Sequence, residues 1–135
     1  MMKTSATLVI ICYLFVTNCV GSIWIKAYVK INNILPPGTI LIVHCKSKED
    51  DLGIHHITGS WGFSFIPHFF DGTMFSCSFA WPGEFHWFDI YVQSRDQEKC
   101  TQCIWEISPQ GPCRWNGLTG EFNTCYFWSP SSKLW

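Results

Sequence analysis

The residues best equipped for chemistry in this chain are its eight cysteines and five histidines. Cys100-Thr101-Gln102-Cys103 is a C-x-x-C pair, a spacing that suits a redox dithiol or half of a zinc site. A redox pair expects a strand–helix–strand setting, and no helical periodicity surrounds it. Zinc expects a second ligand pair at finger spacing, whereas Cys113 follows alone. Both thiols are therefore expected in structural disulfides. His44, His55, His56, His68 and His86 are scattered. His55 and His56 adjoin on an extended segment, which sends them to opposite faces, a poor geometry for one metal. Asp50-Asp51 and Asp96 could pair only through tertiary contact, and charge runs of this kind are usually solvated. No H-E-x-x-H, G-x-S-x-G or P-loop pattern occurs. Nothing compels catalysis: the expectation is a non-enzyme with no cofactor and no metal.

The N-terminal residues set the compartment of the remaining thiols. Met1 to Gly21 carries one Lys3, then the apolar run Ala6 to Val16, then small residues ending in Gly21-Ser22. This is the pattern of a secretory leader. The run is too short to span a bilayer comfortably. Residues 1–21 are expected to be removed, with cleavage after Gly21 or Ser22, and Cys12 and Cys19 leave with them. Cys45, Cys77, Cys100, Cys103, Cys113 and Cys125 remain, an even set bound for an oxidising, extracellular setting. Residues 22–135 then form one small secreted domain, for which cross-links matter because its core is small.

Nine Lys and Arg against ten Asp and Glu leave no basic stripe, so nucleic acid is not an expected partner. No basic amphipathic helix or membrane insertion is expected either. Eight Trp, eleven Phe and four Tyr serve either a dense core or contacts with a partner.

Strand signals dominate beyond Ser22. Ile23 to Ile31 alternates with period two, Thr39 to Cys45 is β-branched and apolar, and Lys46 to Gly53 reads as a charged loop. Trp61, Phe63 and Phe65 alternate in a further strand, as do Phe75, Cys77, Phe79 and Trp81. Pro82-Gly83 turns the chain into a strand from Phe85 to Val92. Ser94 to Lys99 is a polar loop, and short strands near Ile104 to Ile107, Cys113 to Trp115 and Phe122 to Trp128 follow. About eight short strands at near-regular spacing specify an all-β fold, a small antiparallel β-sandwich stapled by disulfides. Its core is expected to draw on Ile25, Val29, Val43, Phe63, Phe75, Phe79, Ile90 and Trp105. The segment from Ser129 to Trp135 is expected to be loose.

Five stretches, taken in order, are distinctive: Val43-His44-Cys45-Lys46-Ser47-Lys48-Glu49-Asp50-Asp51-Leu52-Gly53, Phe75 to Trp81, Phe88-Asp89-Ile90-Tyr91, Arg95-Asp96, and Gly111-Pro112-Cys113-Arg114. With the closing Cys125-Tyr126-Phe127-Trp128, they make the chain resemble the plant self-incompatibility S1 family, or S-protein homologues, from Ile25 to Trp128. Phe127 stands where many members carry Pro, and 129–135 extends beyond the pattern. The resemblance implies a secreted, disulfide-stapled β-sandwich that acts as a signalling ligand for a cell-surface receptor, which in the best-known members leads to pollen rejection. A monomer is expected. The alternative is a secreted defence or carbohydrate-binding protein using aromatics such as Trp24, Tyr28 and Trp87.

Six cysteines allow about fifteen pairings. The preferred set is Cys45–Cys125, Cys77–Cys113 and Cys100–Cys103. The polar clusters expected to face a receptor are Glu49, Asp50 and Asp51 in one loop and Arg95 and Asp96 in another. Asp50 or Asp51 has a competing structural use, bonding backbone amides ahead of Gly53.

Overall fold

Alternating apolar side chains give each extended segment one face to bury, and two such faces packed together make the core of this molecule. The computed structural model describes residues 25–68, 70 and 72–135. The expected leader, with Cys12 and Cys19, lies outside the described residues, as do Ile23, Trp24 and Asp71. The strands are β1 (Ala27–Asn33), β2 (Leu41–Lys46), β3 (Asp51–Ile57), β4 (Ser60–Phe65), β5 (Met74–Trp81) and β6 (Glu84–Val92). A helical turn, α1 (Gln93–Asp96), precedes β7 (Gln102–Ser108), β8 (Gly111–Asn116) and β9 (Glu121–Cys125). One sheet has the order β4-β1-β7-β8-β9 and the other β3-β2-β5-β6. The expected all-β sandwich is what forms. Its pairings are antiparallel except β1 with β7, which run parallel. Parallel neighbours need a long crossover, and the chain supplies one by building the second sheet between them.

Val29, Val43, Phe75, Phe79, Ile90 and Trp105 are buried in one cluster, as expected. Burying a side chain of this size stabilises by roughly 1.5–3 kcal/mol relative to exposure. Phe63 is partly buried and packs its ring against Phe65 and Phe75. Ile25 departs from expectation: it is 53% exposed, because β1 begins two residues later at Ala27.

The expected charged loop is in part a strand. Asp51, Leu52 and Gly53 open β3, an edge strand, where charge is tolerated because one side faces water. His44 pairs with Ile54 and Lys46 with Asp51, so Leu52 and Gly53 together oppose Cys45. This is a bulge, and Gly53 takes the positive φ of 78° that it requires.

All six cysteines are paired, but two expected pairings are corrected. Cys45 bridges to Cys77 and Cys113 to Cys125, while Cys100–Cys103 forms as expected. The physical reason is register. Cys45 lies directly opposite Cys77 on adjacent β2 and β5, and Cys113 directly opposite Cys125 on adjacent β8 and β9. Each of those Cα pairs is 4.0 Å apart. Cys45 and Cys125 belong to different sheets. The 129–135 segment is corrected as well: it is docked on the second sheet, with Trp135 against His44 and Trp87.

Candidate functional site

The loop that joins β2 to β3 carries Glu49 and Asp50, and Asp51 follows at the start of β3, all three on a built frame. Ser47 N donates to Asp50 O at 2.8 Å, and Ser47 Oγ accepts from Asp50 N at 3.1 Å. Asp51 Oδ1 accepts from Gly53 N at 2.9 Å and lies 2.6 Å from His44 Nε2. The Gly53 amide, then the bond to His44, hold the Asp51 carboxyl below the usual carboxylate range. The competing structural use of Asp51 is thus realised, by the bulge just described. Glu49 Oε2 reaches His68 Nε2 at 3.3 Å across from the β4–β5 connection. The Glu49 and Asp51 side chains stay 71% and 60% exposed. They present negative charge to solvent from a fixed backbone.

Beside this loop runs a cleft of about 780 Å³. Glu49 and Asp50 line it together with the apolar side chains of Phe65, Ile66 and Met74 and with Ser94 of α1. The two loops singled out in the sequence therefore share an end of the sandwich, but only part of the second reaches the surface.

Asp96 is fully buried, which corrects its expected role at a receptor-facing surface. Its Oδ2 accepts from Val92 N and Arg95 Nη2, both at 2.8 Å. Its Oδ1 accepts from Arg95 Nε at 2.9 Å and from Arg114 Nη1. A carboxylate in the interior is stable only when paired and hydrogen-bonded, and here its acceptor capacity is filled. Arg95 also donates to Asp89 O at 2.8 Å, and its guanidinium packs over the rings of Phe88, Trp105 and Tyr126. Arg95 keeps 22% of its side chain exposed. This cluster ties α1 to β8 and to the aromatic core.

The histidines do not converge. His55 stacks on Trp61 at 4.1 Å, while His56 is exposed, in keeping with their expected opposite faces. His86 stacks on Trp128 at 4.6 Å. Among the described residues no group of three or more His, Cys, Asp or Glu is placed to hold a metal. Tyr28 and Trp87 sit on different sheets, so they form no common aromatic platform. Trp24 lies outside the described residues. No described helix is long and apolar enough to cross a membrane.

Residues 28–128 match the family model described as plant self-incompatibility protein S1. The chain belongs to the plant self-incompatibility S1 family. Among its relatives, S-protein homolog 2 of Arabidopsis thaliana is 47% identical over 113 residues, covering 78% of this chain and 70% of the relative. S-protein homolog 4 of the same plant is 42% identical over 116 residues, covering 81% and 76%. A solved SPH structure shares the fold at a TM-score of 0.51 with 17% identity, covering 67% of this chain and 84% of the solved one. It is described as representing a widespread family of small, highly stable, secreted plant proteins. The extracellular localisation expected from the S1 resemblance and the cysteine count agrees with that description. The S1 match stops at Trp128, so the docked 129–135 segment lies outside it. Sequence reasoning missed that segment, although a Trp ending a short Ser- and Pro-rich stretch was its visible signal.

Proposed function

We propose that this S1-family protein is a secreted, non-enzymatic ligand recognised by a cell-surface receptor through the acidic β2–β3 loop and the cleft beside it. The observation that carries the reading is the combination of exposure and rigidity in Glu49 and Asp50. Their charges face solvent, yet bonds through Ser47, Asp51 and His44 fix the loop that bears them. A preformed loop loses little ordering entropy on binding. Its charge complements a basic receptor surface and speeds encounter. In this reading residues 1–21 are removed on export and 22–135 act as a monomer. The family name supplies pollen rejection as the setting to examine first. The test is saturable binding of labelled mature protein to intact stigma, pollen and leaf cells, before and after surface proteolysis. Binding that proteolysis abolishes supports a protein receptor. Binding that survives proteolysis, or turnover of any substrate by the purified protein, counts against it.

A further inference from the structure

The outer face of the four-stranded sheet is covered. Ser76 and Ser78 alternate with the inward-facing Phe75, Cys77 and Phe79 on β5, yet both serines are buried. Their cover is the 129–135 segment. It departs along the sheet edge, where Ser129 N donates to Trp87 O on β6 at 2.8 Å. Ser132 Oγ then lies 2.8 Å from Ser76 Oγ. The Trp135 indole sits between His44, edge-on at 4.4 Å, and Trp87 at 5.0 Å. Those two residues are the register neighbours of Ser78, so the indole lies across it. Lys46 Nζ stands 4.0 Å from the same ring, and Lys133 borders the acidic loop at Glu49 and Asp50.

Every described strand and all three disulfides precede Ser129, so apart from the Trp87–Ser129 bridge the segment takes no part in the strand pairing of either sheet. What the segment shows is a set of matched side-chain contacts: hydroxyl on hydroxyl, and the Lys46 cation on the indole. The segment bends at Pro130, Ser131 and Lys133, with Leu134 N donating to Ser132 Oγ at 3.2 Å, so it lies on the sheet as a short bent strap held by side chains three positions apart.

We propose that the outer face of β2, β5 and β6 is a peptide-recognition groove, and that residues 129–135 fill it in cis. Its ligand in trans is a short segment of a partner protein with a hydroxyl side chain and an indole three positions after it. The partner's segment displaces the strap. This goes beyond the receptor reading and stands whether or not Glu49 and Asp50 contact a receptor. A tether of this length holds the strap at an effective concentration of about 1 mM, so the intact chain takes a trans peptide weakly.

The test uses a fluorescent peptide of the sequence Ser129 to Trp135 and fluorescence anisotropy. Mature protein ending at Pro130 is expected to bind it saturably with a Kd below about 0.1 mM, a tenth of the concentration set by the tether. The full mature chain binds at least about tenfold more weakly, as does a peptide with its Trp replaced by Ala. A second form, the full chain carrying Ser132→Ala and Trp135→Ala, keeps the backbone and is expected to bind as the shortened chain does. Absence of saturable binding by both folded forms overturns the proposal. So does equal binding of the Trp-less peptide, or capture of an oligosaccharide in place of the peptide. A full chain that dimerises only while residues 131–135 are present assigns the groove to a second copy, and overturns the partner. If neither form folds, the strap is integral to the sandwich and the proposal also falls.

Discussion

Asp96 and Arg114, 18 residues apart in sequence, meet as a buried ion pair that fastens α1 to β8. Arg95 joins from the adjoining position, so one carboxylate holds two guanidinium groups beneath the aromatic cluster of Phe88, Trp105 and Tyr126. A motif expected at the surface is a structural clasp between α1, in the β6–β7 connection, and strand β8.

Removing one partner of such a cluster leaves buried charge uncompensated, which costs about 3–5 kcal/mol. Asp96→Ala is therefore expected to lower unfolding free energy by that amount in urea titrations. Arg95→Ala, at a site still partly wetted, is expected to cost less. A loss under about 1 kcal/mol for Asp96→Ala is the range of an ordinary substitution and contradicts the clasp.

The disulfides differ in the loops they close, with sequence separations of 32, 12 and 3 for Cys45–Cys77, Cys113–Cys125 and Cys100–Cys103. The chain-entropy model gives about 4, 3 and 1.5 kcal/mol in that order. Paired Cys→Ser variants are expected to lose thermal stability in the same rank. Peptide mapping of the unreduced protein checks the connectivity itself, and a Cys45–Cys125 peptide would refute it.

Two groups tie stability to pH in opposite directions. The Asp51 carboxyl sits lower in the folded state, so its contribution is present above about pH 4 and is lost as pH falls through the folded value. Proton NMR is expected to show Asp51 titrating below the 3.8 of a free carboxyl, with the Gly53 amide shift following it. Burial, then the nearby Asp96 charge, pushes the Tyr91 hydroxyl up to about 12 from 10.0. Its contribution is complete below pH 10 and is lost as pH rises toward 12. Tyr91→Phe is expected to flatten that alkaline decline in melting temperature; an unchanged decline assigns it to other groups.

The alternating strands and the core on Val29, Val43, Phe79 and Trp105 were legible because period two is a local property of sequence. The disulfide partners were not, because Cys45 meets Cys77 only once β2 and β5 are neighbours, and strand order is a tertiary outcome. Edge strand β3 hid behind Asp51 and Gly53, residues that disfavour a central strand but suit an edge with a bulge. Arg95-Asp96 looked exposed because two adjacent charges usually are; the second cation that makes burial tolerable, Arg114, lies on a distant strand. The acidic loop at Glu49 and Asp50 read correctly as exposed, since nothing apolar there asks for cover.

The central claim is that this protein works as a ligand through that loop, and the most direct measurement is competition binding on responsive cells with a Glu49→Ala/Asp50→Ala variant. Both residues lie outside the bonds that shape β3, so thermal unfolding is expected to match the parent. The account predicts at least a tenfold loss of affinity, about 1.4 kcal/mol, reduced further in its salt dependence. Affinity equal to the parent's, with the fold intact, contradicts it and places the contact surface elsewhere on the molecule.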